Sequence, residues 1–241
     1  MQKVKLDNTE GIRLNKYLSD AGFCSRREAD RLIEAGSVTI DEKKAVVGDR
    51  VFEGQRVAVK GKQIAPEEEM ILLAFHKPVG IECTTDRKNP DNIVDFIGYH
   101  KRIYPIGRLD KNSHGLILMT NDGSIVNHIL KASTYHEKEY IVAVNKKITD
   151  DFIKKMSAGV YLTELKQKTR PCKVEQLGDC TFRITLTQGL NRQIRRMCQE
   201  LDYRVVDLKR IRIMSVELGK LKEGTYRNVR KDEIDKLLGR K

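Results

Sequence analysis

The sequence predicts an α+β chain in two parts: a small module of helices and short strands, then a larger domain that mixes strands and helices. Three observations point there. Near the N-terminus, apolar residues recur at helical spacing in two short segments and then give way to short β segments. A polar stretch with a proline and three acids, "KQIAPEEEM", interrupts the pattern near residues 63–70. Beyond it, continuous apolar runs and alternating strands are interleaved with short amphipathic helices.

In the first part, "IRLNKYLSDAG" places Leu14, Tyr17, Leu18 and Ala21 on one helical face, and Gly22 is fit to close the helix. "CSRREADRLIEAG" starts a second helix, with Ser25 and Glu28 at capping-box spacing. Ala29, Leu32 and Ile33 form its apolar stripe and Gly36 its stop. "SVTID" and "QRVAVKG" read as short strands. Arg13, Lys16, Arg26, Arg27 and Arg31 lie on or beside the two helices, off the apolar stripe, where they form a face suited to phosphate contacts. The domain limits expected from this are 10–63 for the first module, 64–70 for a linker and 71–241 for the second domain.

In the second part, "MILLAFHKPVG" reads as a buried strand ending in a turn, and "GLILMT" as another buried strand. "SIVNHILKAS" is a short helix and "KEYIVAVN" a β-rich run. "TDDFIKKMSAG" is a helix with Thr149 at its N-cap and Phe152, Ile153 and Met156 on one face. "TFRITLTQG" alternates Phe182, Ile184 and Leu186, as a half-buried strand does. "NRQIRRMCQELDY" is a helix whose narrow apolar stripe is Ile194, Met197, Cys198 and Leu201. Arg192 and Arg196 point away from that stripe, while Arg195 sits at its flank and is able to reach a carboxylate in a pocket.

The chain has 241 residues and a formal net charge of +12, with lysine and arginine spread along its whole length. Such a surface suits a polyanion, and nucleic acid is the commonest one. There is no run of about 18 apolar residues that a membrane span requires. The N-terminal "MQKVKLDNTEG" lacks the apolar stretch of a signal peptide, so a cytoplasmic location is expected. Five cysteines, an odd number with no CxxC pair, fit reduced thiols in a reducing compartment. The five histidines show no metal spacing along a helix, so no metal is expected.

Four motifs then carry a resemblance, with a fifth segment ahead of them. That segment, "LNKYLSDAGFCSRREADRLIEAGSV", resembles the RNA-binding module of the ribosomal protein S4 type. "HKPVG", "GRLDKNSHGLILMTNDG", "KEY" and "GLNRQIRRM" follow in the order found in the bacterial ribosomal RNA pseudouridine synthases. "MSAGV" and "QGLNRQIRRMC" are similar to the F-type branch of the synthases that modify large-subunit RNA. The resemblance covers nearly the whole chain. It implies a mixed, mostly antiparallel catalytic sheet flanked by helices, with the cleft across its middle. It also implies that Asp110 is the catalytic aspartate and that Tyr140 and Arg195 are the active-site tyrosine and arginine.

The implied reaction breaks the N-glycosidic bond of a uridine, turns the base and rejoins it through C5, with no redox change and therefore no cofactor. Asp110 has several routes open to it: addition to C1′ of the ribose or to C6 of the uracil, stabilisation of a cationic sugar, or removal of a ribose proton. A forked Arg195 would keep that carboxylate ionised and aimed. Tyr140 offers a ring to stack on uracil and a hydroxyl near C5. Lys77, Arg108, Asn191, Arg192 and Arg196 are further candidate RNA contacts; Lys77 reads equally well as a strand-end surface lysine. The expected partner is 23S ribosomal RNA, with transfer RNA as a possible second substrate, and the chain is expected to act as a monomer. The alternative is a non-catalytic RNA-binding or ribosome-assembly protein, which would have no need of Asp110, Tyr140 and Arg195 together. A methyltransferase would need a glycine-rich nucleotide loop, and "HKPVG" has one glycine.

Overall fold

In the computed structural model, residues 10–66, 69–130 and 136–239 are described. The N-terminal segment read against a signal peptide, the two acids Glu67 and Glu68 of the expected linker, the end of the expected helix at 131–133 and the last two residues therefore lie wholly or mainly outside the described residues. Contacts divide the chain into two units. One takes in the described residues up to Ile71 together with Tyr99–Ile103 and Thr120–Gly123, and the other takes in the rest.

In the first unit, strand β1 (Ile12–Arg13) leads into α1 (Leu14–Asp20), and α2 (Arg26–Glu34) follows. Strands β2 (Val38–Ile40), β3 (Lys43–Lys44), β4 (Arg50–Val51), β5 (Val57–Val59) and β6 (Lys62–Ile64) complete it. β3, β2, β5 and β6 form a four-stranded antiparallel sheet, and β1 pairs with β4. The expected stripe is the core: Leu14 and Leu18 of α1 and Ala29 and Ile33 of α2 pack with Val38, Val57 and Val59. The Ser25 hydroxyl accepts from the Glu28 amide at 3.2 Å, which satisfies one free helix donor. The expected capping box is only half made, because the Glu28 carboxylate pairs with Arg31.

The second unit is built on a nine-stranded sheet. Its strands are β7 (Leu72–Lys77), β8 (Tyr104–Ile106), β9 (His114–Thr120), β10 (Lys138–Val144), β13 (Lys173–Gly178), β14 (Thr181–Leu186), β15 (Val205–Ile213), β16 (Val216–Glu217) and β17 (Tyr226–Asn228). The short β11 (Tyr161–Leu162) and β12 (Gln167–Lys168) form a hairpin apart from it. The order is β13-β14-β10-β15-β9-β7-β17, with β16 on β15 and β8 on β9. Pairing within β13-β14-β10-β15 is antiparallel, whereas β15 meets β9 in parallel, as Lys209 opposite His114 and Arg210 opposite Gly115. The fold is thus α+β with a mixed, mostly antiparallel sheet.

Helices α3 (Ile93–Ile97), α4 (Gly123–Leu130), α5 (Asp150–Ser157), α6 (Gln193–Glu200) and α7 (Lys231–Leu237), with a 3-10 turn at Thr163–Leu165, complete the described elements. Thr149 caps α5 by accepting from the Phe152 amide at 3.2 Å. Phe152 and Met156 of α5 and Ile194, Met197 and Cys198 of α6 form one core with Val142, Val144, Phe182, Ile184 and Leu186 of the sheet. α6 is shorter than the sequence suggests. Arg192 adopts a left-handed conformation with φ 50°, so the helix begins only at Gln193, whose side chain accepts from the Leu190 amide at 3.1 Å.

Candidate active site

Asp110 lies in the turn that feeds β9. Its carbonyl accepts from the Ser113 amide at 3.0 Å, which closes the turn. Arg195 reaches that turn from α6, and its side chain is only 11% exposed. One terminal nitrogen donates to the Asn112 carbonyl at 2.8 Å and to the Ser113 hydroxyl at 3.0 Å, and the other to the Val205 carbonyl at 3.4 Å. Its Nε faces Asp110 Oδ2 at 3.8 Å. The pair is therefore an ion pair without a direct hydrogen bond, and the expected two-pronged fork is not made on the carboxylate. The fork grips the backbone that holds the acid instead. Burial lowers the pKa of Arg195, and the charge of Asp110 works against that shift. The Asp110 side chain remains 31% exposed, so substrate can reach it.

Tyr140 stands in β10, directly opposite Ile184 of β14 and Arg210 of β15. Arg210 in turn faces Gly115 of β9, so one row crosses four strands toward the segment that carries Asp110. A register shift in the β10–β15 pairing falls between Glu139 and Tyr140, a device that re-aims side chains. Tyr140 is half-buried and packs against the same core as Ile194 and Met197 of α6.

Lys77 requires a correction. It is fully buried, and its ammonium donates to the carbonyls of Pro78 and Ile81, both at 2.7 Å. It is neither a surface lysine nor placed to meet a phosphate; it shapes the turn after β7. Burial lowers its pKa, with Cys83 and Asp110 opposing. Arg196 also differs from the expectation. It turns back to the Asn191 carbonyl and side-chain oxygen, at 3.0 and 3.2 Å, and pairs with Glu164. Asn191 is thereby engaged as well. Arg108 and Arg192 are exposed. In the first unit Arg13, Arg26 and Arg27 are exposed, while Lys16 is paired with Asp20 and Arg31 with Glu28.

The sequence reading missed three contributors. Ser113 is fully buried and holds Arg195. Arg210 is buried, and its Nε donates to the Leu116 carbonyl at 2.6 Å. Gly115 has φ +105°, and any Cβ there would overlap the Arg210 backbone. Ser113 and Gly115 lie inside the motif already singled out, but their roles depend on what packs against them, α6 for Ser113 and β15 for Gly115.

A family model described as RNA pseudouridylate synthase matches residues 71–200, and the S4 domain model matches residues 12–57. The chain belongs to the RNA pseudouridylate synthase family. The synthase is 54% identical over 224 residues to the dual-specificity RNA pseudouridine synthase RluF of Salmonella typhi, across 92% of this chain and 77% of that protein. It is 52% identical over 225 residues to the protein of the same name in Escherichia coli strain K12, with the same coverage. A solved pseudouridylate synthase superposes with a TM-score of 0.69 at 28% identity, across 94% of this chain and 99% of that one. The synthase is an RNA-modifying isomerase with an S4 RNA-binding domain. Among the described residues no helix is long and apolar enough to cross a membrane.

Proposed function

We propose that the synthase isomerises a uridine of 23S ribosomal RNA, takes a transfer RNA uridine as a second substrate, and uses Asp110, Arg195 and Tyr140 as its reaction centre. The observation that carries this reading is the grip of Arg195 on the Asp110 turn. It holds a partly exposed carboxylate in one place beside a cation, as a nucleophile or a charge-stabilising group requires. Every route open to Asp110 needs that ionised, fixed carboxylate. In each, the N1–C1′ bond breaks, the base turns, the C5–C1′ bond forms, C5 gives up its proton and N1 takes one up, so the atoms balance without a redox partner. Tyr140 receives the base, with its hydroxyl free of any protein partner among the described residues.

The name of the relatives supports a dual specificity for RNA, and the resemblance to the F-type branch supports a 23S target with transfer RNA as the second substrate. Residues 10–63 then serve as the RNA-binding domain, 64–70 as linker and 71–241 as the catalytic domain. Arg13, Arg26, Arg27, Arg108 and Arg192 are the RNA contacts on this reading, with Lys16, Arg31, Asn191 and Arg196 secondary because protein partners already hold them. Flipping the target uridine from its stack costs a few kcal/mol, and basic contacts to the RNA offset it. The synthase acts as a monomer in the cytoplasm, where its free cysteines stay reduced. Pseudouridine mapping of ribosomal and transfer RNA from cells lacking the gene tests the reading. Loss of a 23S site is expected, and an unchanged map in both RNAs would refute the substrate assignment.

A further inference from the structure

We propose that His76, His114 and Glu223 form a binding site for a divalent transition-metal ion of the zinc class. One nitrogen from each imidazole and one carboxylate oxygen lie within 4.8 Å of one another. The three residues come from different places in the sequence. His76 is near the end of β7, His114 opens β9, and Glu223 precedes β17. Backbone pairing sets their spacing: the Gly224 amide donates to the His76 carbonyl at 2.9 Å, and the His76 amide to the Thr225 carbonyl at 3.0 Å, which puts Glu223 beside His76. The two imidazoles stack with centroids 6.0 Å apart and an interplanar angle of 18°.

The hydrogen bonds around the rings favour a metal. His76 Nδ1 lies 2.8 Å from the Leu221 carbonyl, an acceptor only, so that nitrogen carries the proton. His76 Nε2 is then left with its lone pair, in a residue only 5% exposed, and has no protein partner. His114 repeats the pattern. Its Nε2 lies 3.1 and 3.2 Å from the two oxygens of Asp207, and its buried Nδ1 has no hydrogen-bond partner, with Glu223 at 3.9 Å. A carbonyl behind one ligand histidine and a carboxylate behind the other is the outer shell that orients imidazoles on a metal. Two buried lone pairs facing one carboxylate otherwise leave polar atoms unsatisfied at a cost.

Imidazole ligands select zinc, nickel, copper or cobalt over magnesium or calcium, which favour all-oxygen sites. In a tetrahedral zinc site with bonds of about 2.0 Å, ligand atoms are about 3.3 Å apart. The Glu223 side chain is half-exposed and free to close that gap, and its exposure gives the ion an entry path. Three protein ligands leave a fourth position for water. The ion ties β7 to β9 on the strand that leaves the Asp110 turn.

The test uses the full chain stripped by a chelator, titrated with Co²⁺ by visible absorption and with Zn²⁺ by calorimetry. One equivalent is expected to bind in the micromolar range or tighter, give the absorption of a low-coordinate cobalt site and raise Tm. His114→Gln is expected to abolish the absorption. Glu223→Gln, at an exposed residue whose loss should not unfold the chain, is expected to weaken binding by about 10- to 100-fold. Absence of saturable binding to the unsubstituted chain overturns the proposal, as does equal binding by both variants, which would place the ion on the free cysteines.

Discussion

Arg195 grips the loop around Asp110 more closely than it grips Asp110 itself: one terminal nitrogen bonds Asn112 and Ser113 at 2.8 and 3.0 Å, while its Nε stands 3.8 Å from the carboxylate. Substitution at Arg195 therefore displaces the acid as well as removing a charge beside it. Arg195→Ala is expected to lower kcat by at least about a hundredfold relative to Arg196→Ala, equivalent to roughly 2.7 kcal/mol in the barrier. Arg195→Lys should recover little, because one ammonium cannot span Asn112, Ser113 and Val205. The measurement is kcat at saturating RNA with melting curves alongside. A poorer enzyme from Arg196→Ala at equal stability would rule out the pairing as functional.

Asp110→Asn keeps the shape of the side chain and removes its charge. Single-turnover release of tritium from C5-labelled uridine RNA is expected to fall by about three orders of magnitude or more, with fold and RNA affinity nearly unchanged. Activity within about tenfold of the unsubstituted protein would contradict the role given to this residue.

On the RNA-binding side, Arg13, Arg26 and Arg27 are exposed, whereas Lys16 and Arg31 already have acidic partners. Replacing any of the first three with alanine is expected to lower the slope of log K against log salt by about 0.7–0.9 per lost phosphate contact. Lys16→Ala and Arg31→Ala should change it less. Filter binding across a salt series gives the slopes, and equal slopes throughout would make these arginines a solvated face only.

Gly115→Ala places a methyl group into the Arg210 backbone at a φ of +105°. A loss of at least about 3 kcal/mol, or failure to fold, is expected from combined overlap and strain. Urea midpoints decide it, since a shift under about 1 kcal/mol would mean that β9 and β15 separate easily.

Glu233 is nearly buried at the start of α7, where Arg227 donates to both its oxygens at 2.7 and 2.8 Å. Burial raises its pKa, but the bonds from Arg227 and the Arg230 amide outweigh this and the net shift is downward. A lowered folded pKa adds stability that is present above the unfolded value of about 4.3 and lost as pH falls through the folded one. Glu233→Gln should therefore destabilise at neutral pH, by up to about 3–5 kcal/mol as for a broken buried pair. The gap from the unsubstituted protein should close in acid. Denaturation at pH 7 and at successively lower pH checks the sign.

The motif order singled out Asp110, Tyr140 and Arg195, and the helical phase of α6 set Arg195 at the flank of the stripe, from which it reaches the Asp110 turn. Local signals served well where local physics decides: the Thr149 cap, the α1 and α2 stripes, the alternation of β14. They failed where a side chain turns back onto a neighbouring loop and where sheet order decides. Lys77 is the strand end that the sequence suggests, yet it is not on the surface, because the turn after β7 folds over it. Arg196 looks free on a helical wheel, yet Asn191 and Glu164 claim it. His76, His114 and Glu223 share no spacing that a sequence scan can weigh, because sheet order alone brings them together.

The parallel seam between β15 and β9 has a consequence for when the enzyme comes into being. Arg210 and Leu116 meet there across 94 residues of sequence, and such distant pairings are slow to form because loop closure precedes any reward from contact. Asp110 leaves the ribosome early, but Arg195 and the seam that set its position emerge much later. Until that seam closes, the Asp110 turn lacks the grip that Arg195 gives it in the folded chain.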